Sequence, residues 1–459
     1  MISIIFLILS IVILFVGLFQ GKGRFALLII ALSLLANIVS IFLYYLAPDL
    51  SNVQFTIASR ELSIYFAFLL TMIFVKKFRL PIYHPIDKVY LLLLLMYIVF
   101  ILASLPRFSI SSLLMGRELI FPIAIYFIFR FLNLDLKSIK RILLFIIGLA
   151  FFAAVIAIIE QVYVNFINPT LWKQINIAGY LNQKYGSFPG DYPGSWVNYL
   201  PALFNLPSGF RSIGIMLDPL ATGHFLACSF VIVLFWYRGR SKWLLALVIG
   251  AGAFTTFSKA TFLICFIAIG SQAIIVRPRA LRQLILVMLI LTILGTGALL
   301  LSTGDDNFTH FGSFRAGIIS LFNTPLGHGV GSTGYLNILI TGGGAMQAID
   351  TAFSVYIYQL GILGLVALFC LVILPFSYLL LNLRAKKHKI ARTPLLPVLI
   401  PIFGAYSILA FSSAAAFTAI PIFIPMMLIG MHVSIMAEQA REYALASEQQ
   451  TITGKVEYV

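Results

Sequence analysis

Apolar stretches recur along the whole chain, at roughly 1–19, 25–47, 61–75, 88–106, 118–132, 142–163, 218–237, 243–257, 260–276, 284–302, 352–383, 394–412 and 420–437. Short polar or basic gaps separate most of them. A helix of about 20 apolar residues spans the roughly 30 Å of a bilayer's hydrocarbon, and inside lipid only helices and closed barrels satisfy their own backbone groups. The spacing therefore predicts an all-α polytopic membrane protein with about thirteen transmembrane helices, within a range of roughly 11 to 14. The run at 352–383 is long enough to hold a kink at Pro375 or an extra interfacial turn.

Composition supports lipid as the solvent: 61% of the residues are hydrophobic, 10% are charged, and the mean hydropathy is +1.04. A net charge of +16 would suggest nucleic acid in a soluble protein, but the basic residues fall in alternate gaps, which is a topology signal. One set of gaps holds Lys22, Arg24, Lys76, Lys77, Arg79, Lys88, Arg130, Lys137, Lys140, Arg141, Arg238, Arg240, Lys242, Arg277, Arg279, Arg282, Arg384, Lys386, Lys387, Lys389, Arg392, Arg441 and Lys455. The other holds only Arg60, Arg107, Arg117, Lys173, Lys184, Arg211, Lys259 and Arg315. The bias predicts a cytoplasmic C-terminus and an outer, periplasmic N-terminus. The first run has no basic segment before it and reads as a retained helix. Cys228, Cys265 and Cys370 lie inside apolar runs and read as core filler.

The organisation that follows is N-terminal membrane helices over 1–163, a large outer loop over 164–217 and central membrane helices over 218–302. A second large outer loop spans 303–351, C-terminal membrane helices cover 352–437, and a polar tail occupies 438–459. The first loop is rich in aromatic residues interleaved with Asn, Gln, Gly and Pro, with Trp172, Tyr192 and Trp196 among them. Such faces suit the C–H face of a sugar ring, and they equally suit an interfacial aromatic belt.

The outer basic residues carry more information, because the positive-inside bias acts against them. Arg117 opens a helix beside Glu118, Arg211 and Asp218 flank the next entry, Lys259 sits in the tight hairpin TTFSKA, and Arg315 lies in the second loop. Cations near the membrane interior usually have a carboxylate partner or an anionic ligand, and guanidinium and ammonium groups suit pyrophosphate. Pairing with Glu118, Asp218 or Asp350 is the competing explanation. Candidate bases on this side are Asp191, Asp218, Asp305, Asp306, Asp350, His310 and His328, with Glu118 and His224 at helix ends. Asp350 precedes an apolar run and could equally cap its helix. Gly329, Gly331 and Gly334 match G-x-G-x-x-G formally, but without a strand before them or a βαβ context they do not mark a dinucleotide site. No metal-ligand spacing is present.

Three stretches together resemble the bacterial O-antigen polymerase and O-antigen ligase superfamily. They are FRSIGIMLDPLATGHFLA (210–227), FTTFSKATFL (254–263), and the succession from Arg315 through NTPLGHGVGSTGYL (323–336) to DTAFSVYIYQLGILGLVAL (350–368). The resemblance covers roughly 210–370. It implies a GT-C-like membrane glycosyltransferase of the bacterial inner membrane with two large periplasmic loops. It also implies an undecaprenyl-pyrophosphate-linked oligosaccharide as substrate, in a membrane lipid setting. Arg211, Lys259 and Arg315 would hold the pyrophosphate, joined by Arg117; apart from the resemblance, the aromatic reading of the first loop offers Trp172, Tyr192 and Trp196, with Asp218, as residues for the glycan. Asp350, or else His328, would act as the base, where the ligases resemble one another in carrying a His; Asp350 there favours polymerase over ligase.

On that reading the reaction is an inverting glycosyl transfer that needs no metal, cofactor or nucleotide sugar, and a separate chain-length regulator is a possible partner. A ligase delivering glycan to lipid A core or protein is the nearer alternative. A flippase or secondary transporter is the other, with Glu160 as its membrane-buried acid.

Overall fold

The computed structural model describes residues 2–46, 50–74, 84–168, 171, 197–198, 209–276, 309–332, 351–384, 393–411 and 415–456. The predicted glycan residues Trp172, Tyr192 and Trp196, the base Asp350 and the apolar run 284–302 lie outside them. Among the described residues the chain is helical, apart from one two-residue antiparallel pairing of Val197 with Phe210 and Asn198 with Gly209. Among the described residues six helices are long and apolar enough to cross a membrane: Lys22–Phe42, Pro85–Phe108, Ser111–Phe131, Leu136–Ile167, Ile362–Asn382 and Ala419–Glu442. Five shorter apolar helices accompany them. This is the build of a multi-pass membrane protein.

The first three helices, α1 (Ile2–Gln20), α2 (Lys22–Leu46) and α3 (Leu50–Ile73), pack on one another. Helix α4 (Pro85–Phe131) has 47 residues and would be about 70 Å long if straight. It is not straight. The Tyr90 ring meets Tyr126 at 4.6 Å, Arg130 bonds Asp87, and Ile101 lies against Gly116. Each pair is equidistant from a point near Phe108, so α4 is an antiparallel hairpin that reverses just after Pro106. We call the Phe108 end the tip and the Asp87 end the base.

The base of the hairpin is a buried ion pair. Arg130 and Asp87 are fully buried, with Arg130 Nε at 3.1 and 3.2 Å from the two carboxylate oxygens and its Nη2 at 3.0 Å. The Tyr126 hydroxyl donates to the same carboxylate at 2.5 Å. Arg130, grouped by sequence with the loop cations, is thus a structural residue of the interior. Close by, His84 caps α4 by accepting the Ile86 N–H on Nδ1, so its Nε2 carries the proton shared with Tyr378 at 2.8 Å. Burial pushes this imidazole down to about 4, which keeps it neutral in that double role.

The chain then alternates between base and tip. Helix α5 (Leu136–Val162) rises to the tip, α6 (Pro219–Phe235) descends, α7 (Lys242–Thr255) returns and α8 (Lys259–Val276) descends again. Within the stretch read as an outer loop lies a helix, α9 (Thr309–Asn323), whose open side carries Arg315, Ile319 and the 79%-exposed Phe322. The apolar run after it is not one helix. It comprises α10 (Ala352–Leu360), a break at Gly361, and a second segment made of α11 (Ile362–Leu368), a wide π turn (Phe369–Ile373) and α12 (Leu374–Arg384).

Pro375 does not break that second segment. It cannot donate an N–H to the Leu371 carbonyl; the turn widens there, and the Tyr90 hydroxyl donates to that carbonyl at 3.2 Å. Helices α13 (Leu396–Leu409) and α14 (Ala419–Val456) complete the bundle. The membrane stretch of α14 is 83% buried and packs on the second limb of α4 and on α6, which makes it the central helix.

Candidate functional site at the tip

Three groups of predicted residues gather at the tip, each fixed by a different piece of backbone chemistry. The first is built on the segment 211–217, which turns through non-helical backbone yet is buried from Ser212 to Leu217. Backbone of that kind is tolerated at depth only if the protein satisfies its polar groups, and Glu160 of α5 does much of this. One carboxylate oxygen accepts the Ile213 N–H at 2.7 Å and the other accepts Gly214 N–H at 2.8 Å. The Ser212 hydroxyl donates to Ala157 O at 2.8 Å, and Asn37 donates to Met216 O.

Glu160, the acid on which a transporter reading depended, is therefore engaged on both oxygens by a loop. An amide in its place keeps one acceptor and turns a donor toward an N–H. Glu160→Gln is expected to lower stability by about 1–3 kcal/mol, the usual consequence of an unsatisfied buried group, seen as a lower melting temperature in detergent together with lower activity.

The loop held by Glu160 presents Arg211. Its Nε donates to the Thr256 carbonyl at 2.8 Å, and the Ser212 N–H donates to Thr255 O at 3.1 Å. These bonds tie the loop to the α7–α8 turn, where Phe257 takes a left-handed φ of 44°. Burial pulls the Arg211 guanidinium down from its ordinary value, and the Asp218 carboxylate pulls it back up. Asp218 also caps α6, accepting Leu220 N–H at 2.7 Å and Ala221 N–H at 2.9 Å on one oxygen.

Lys259 is the first residue of α8, three positions after the residue that Arg211 grips, and it is exposed. A helix N-terminus already carries about half a positive charge, so a cation there opposes the helix that bears it. Arg211, Lys259 and the N-terminus of α8 together make a positive corner at the tip. Sequence reasoning found both cations and the tight hairpin that carries Lys259, but not the bond by which Arg211 grips that hairpin.

Arg117 belongs to a second group. Its Nε lies 3.0 Å from a Glu61 oxygen, and the buried Arg60 donates to the other oxygen of Glu61 at 2.9 Å. Two arginines thus share one carboxylate on α3. The partner of Arg117 is Glu61, and not the neighbouring Glu118 weighed in the sequence. Arg315 stands apart on the open side of α9, where no ion pair holds it among the described residues.

The third group surrounds His328. The loop after α9 threads between the tip of α4 and the Gly361 break. His328 N–H donates to Tyr358 O at 2.8 Å, Gly329 N–H to Gln359 O at 3.0 Å, and Ile362 N–H to Pro325 O at 2.8 Å. Val330 is clipped from both limbs of α4: its N–H donates to Ser104 Oγ at 2.9 Å and its carbonyl accepts from Ser112 Oγ at 2.8 Å.

Gly329 and Gly331 have φ of 99° and 92°, and a Cβ on Gly331 would lie 2.7 Å from the Ser112 nitrogen. Gly329 and Gly331 therefore serve close packing of loop on hairpin. The His328 ring stacks on Tyr358 at 4.0 Å with Nδ1 3.2 Å from the Tyr358 carbonyl. A carbonyl can only accept, so in this contact Nδ1 carries a proton, with the Thr324 hydroxyl 3.4 Å from the same nitrogen. Asp350 was weighed as the cap of α10; the cap is Thr351, which accepts the Ser354 N–H at 3.2 Å.

No protein-family model matches the chain, and a search of curated proteins finds no match.

Proposed function

We propose that the chain is a bacterial inner-membrane glycosyltransferase of GT-C-like build with about thirteen spans. In this reading it polymerises undecaprenyl-pyrophosphate-linked oligosaccharide repeats at the tip. The tip faces the periplasm with the N-terminus, and the base, where the loop cations concentrate, faces the cytoplasm. The observation that carries the reading is the positive corner of Arg211, Lys259 and the N-terminus of α8, which suits a pyrophosphate.

A terminal hydroxyl of the acceptor repeat attacks the anomeric carbon of the donor glycan with inversion. The bond from that carbon to the pyrophosphate oxygen breaks, and its electron pair leaves on the lipid pyrophosphate, whose developing charge Arg211 and Lys259 stabilise. Arg315 and Arg117 are the other cations assigned to the pyrophosphate, Arg117 while paired with Glu61. The hydroxyl proton passes to a base, Asp350 or His328; with Nδ1 turned to the Tyr358 carbonyl, a neutral His328 would accept it on Nε2. Trp172, Tyr192, Trp196 and Asp218 are the residues assigned to glycan.

The position of Lys259 separates a ligand role from a structural one. Lys259→Ala removes a cation from a helix N-terminus and is expected to leave the melting temperature unchanged or slightly raised. Lys259→Ala and Arg211→Ala are each expected to shorten polymer ladders and slow elongation of purified lipid-linked repeat about 10- to 100-fold, the equivalent of a lost charge-assisted hydrogen bond. Wild-type elongation in both variants refutes the reading. Transfer of a single finished glycan to added acceptor, without growth by repeats, would mark the protein as a ligase.

A further inference from the structure

At the base, far from the corner just described, the α1–α2 turn and the start of α5 enclose a cleft of about 420 Å³. It is lined by Gln20, Gly21, Lys22, Gly23, Arg24, Asp135, Ser138 and Arg141. Gly21 turns the chain with a φ of 127°, and the absence of a side chain at Gly23 lets Ser138 come against its Cα, since a Cβ there would lie 2.8 Å from the Ser138 hydroxyl.

Three cations line this space with one carboxylate, Asp135, which already accepts the Ser138 N–H at 3.3 Å as the cap of α5; a second carboxylate, Glu438 of α14, acts on Lys22 from outside the lining, so the excess charge rests on Arg24 and Arg141. Arg24 and Arg141 are exposed. The cleft also marks a boundary. On α1 an apolar exposed side runs away from it through Phe19, Val16, Phe15 and Val12, and on α5 Leu136 begins another that continues through Leu144 and Phe145. Anionic groups at this level of a membrane protein are phosphates of lipid headgroups, with acyl chains that would lie along those exposed sides.

We propose that this cleft binds the phosphate of an anionic phospholipid headgroup, held by Arg24 and Arg141 with Lys22 and the Ser138 hydroxyl beside it. The same chemistry would accept a free phosphate, and the test separates the two. The purified full chain in detergent is titrated with phosphatidylglycerol, with phosphatidylcholine and with inorganic phosphate, and binding is read by native mass spectrometry and by thermal shift.

Phosphatidylglycerol is expected to bind and raise the melting temperature where phosphatidylcholine does not. The Arg24→Ala/Arg141→Ala pair is expected to weaken that binding about 10- to 30-fold, in line with the attraction of two basic residues to an anionic surface. The exposed pair Arg238→Ala/Arg240→Ala, outside the cleft, is expected to leave it within about twofold of wild type.

Equal binding of the two lipids, or equal loss in the control pair, overturns the proposal, and an equal shift from inorganic phosphate overturns its lipid part. Should the alanine pair fail to fold, Ser138→Cys gives a second reading. Its reaction with a charged thiol reagent is slowed by phosphatidylglycerol if the cleft is the site, and unaffected lipid by lipid if it is not.

Discussion

Gly361→Ala is expected to lower stability by about 2–6 kcal/mol, enough to reduce the folded yield sharply. Gly361 joins α10 to α11 at φ 61° and ψ −137°, a conformation that residues with a Cβ avoid. A Cβ there would lie 1.9 Å from the Pro325 carbonyl oxygen and 2.5 Å from its carbon. That oxygen cannot retreat freely, because it accepts the Ile362 N–H at 2.8 Å. Backbone strain and overpacking therefore act together, on a link that also positions Tyr358 beneath His328. The measurement is the melting temperature in detergent, with a drop on the order of 5–10 °C. Gly148→Ala, in the interior of α5 with nothing within 4 Å of its Cβ position, is the control and is expected to be neutral or stabilising by up to about 1 kcal/mol. Equal melting of wild type and Gly361→Ala would mean the break is not as described.

The second large effect is at the base. Arg130→Leu leaves the Asp87 carboxylate buried with only Tyr126 to serve it, and Asp87→Leu leaves a guanidinium with no anion in a fully buried place. Breaking such a pair from one side typically costs about 3–5 kcal/mol, whereas replacing both partners by apolar residues is often close to neutral. Each single substitution is therefore expected to destabilise strongly and the double substitution much less. A double-mutant cycle on melting curves checks this, and additive single effects would refute it.

Both sites mark the limits of what the sequence discloses. Hydropathy located the apolar stretches and placed a reversal between 88–106 and 118–132, where α4 does turn back on itself. It could not locate the break at Gly361, because the run from 352 to 383 stays apolar on average through that point and hydropathy measures burial, not direction. The left-handed φ that breaks the run leaves its trace only in the glycines of GILG. Arg130 was read through its neighbours in the chain, as a loop cation, since nothing local points to a carboxylate 43 residues upstream. The helix α9 was hidden for a related reason: its apolar residues are too few for a span, and its polar ones resemble a loop.

At the tip, Arg211, Lys259, Arg117, Arg315 and His328 were all picked out in advance, and so was the order of the three stretches that carry them. What no spacing could convey is who holds them. Glu160, Thr256, Glu61 and Ser104 act through main-chain and side-chain partners remote in sequence, and the two arginines on Glu61 show that a cation selected as a ligand-binder can already have an anion.

The clip on Val330 has a consequence for how the molecule is made. Its two serines are on the ribosome's product some 220 residues before Val330 itself, with sequence separations of 226 and 218. Through the synthesis and insertion of most of the intervening helices, the two limbs of α4 stand in the membrane with their tip unlatched and Ser104 and Ser112 served by water or lipid headgroups. Assembly of this end is therefore a late event in biogenesis. A nascent chain halted before residue 330 would hold the Arg130–Asp87 pair of the hairpin but neither its clip at the tip nor the Tyr378 partner of His84 at the base.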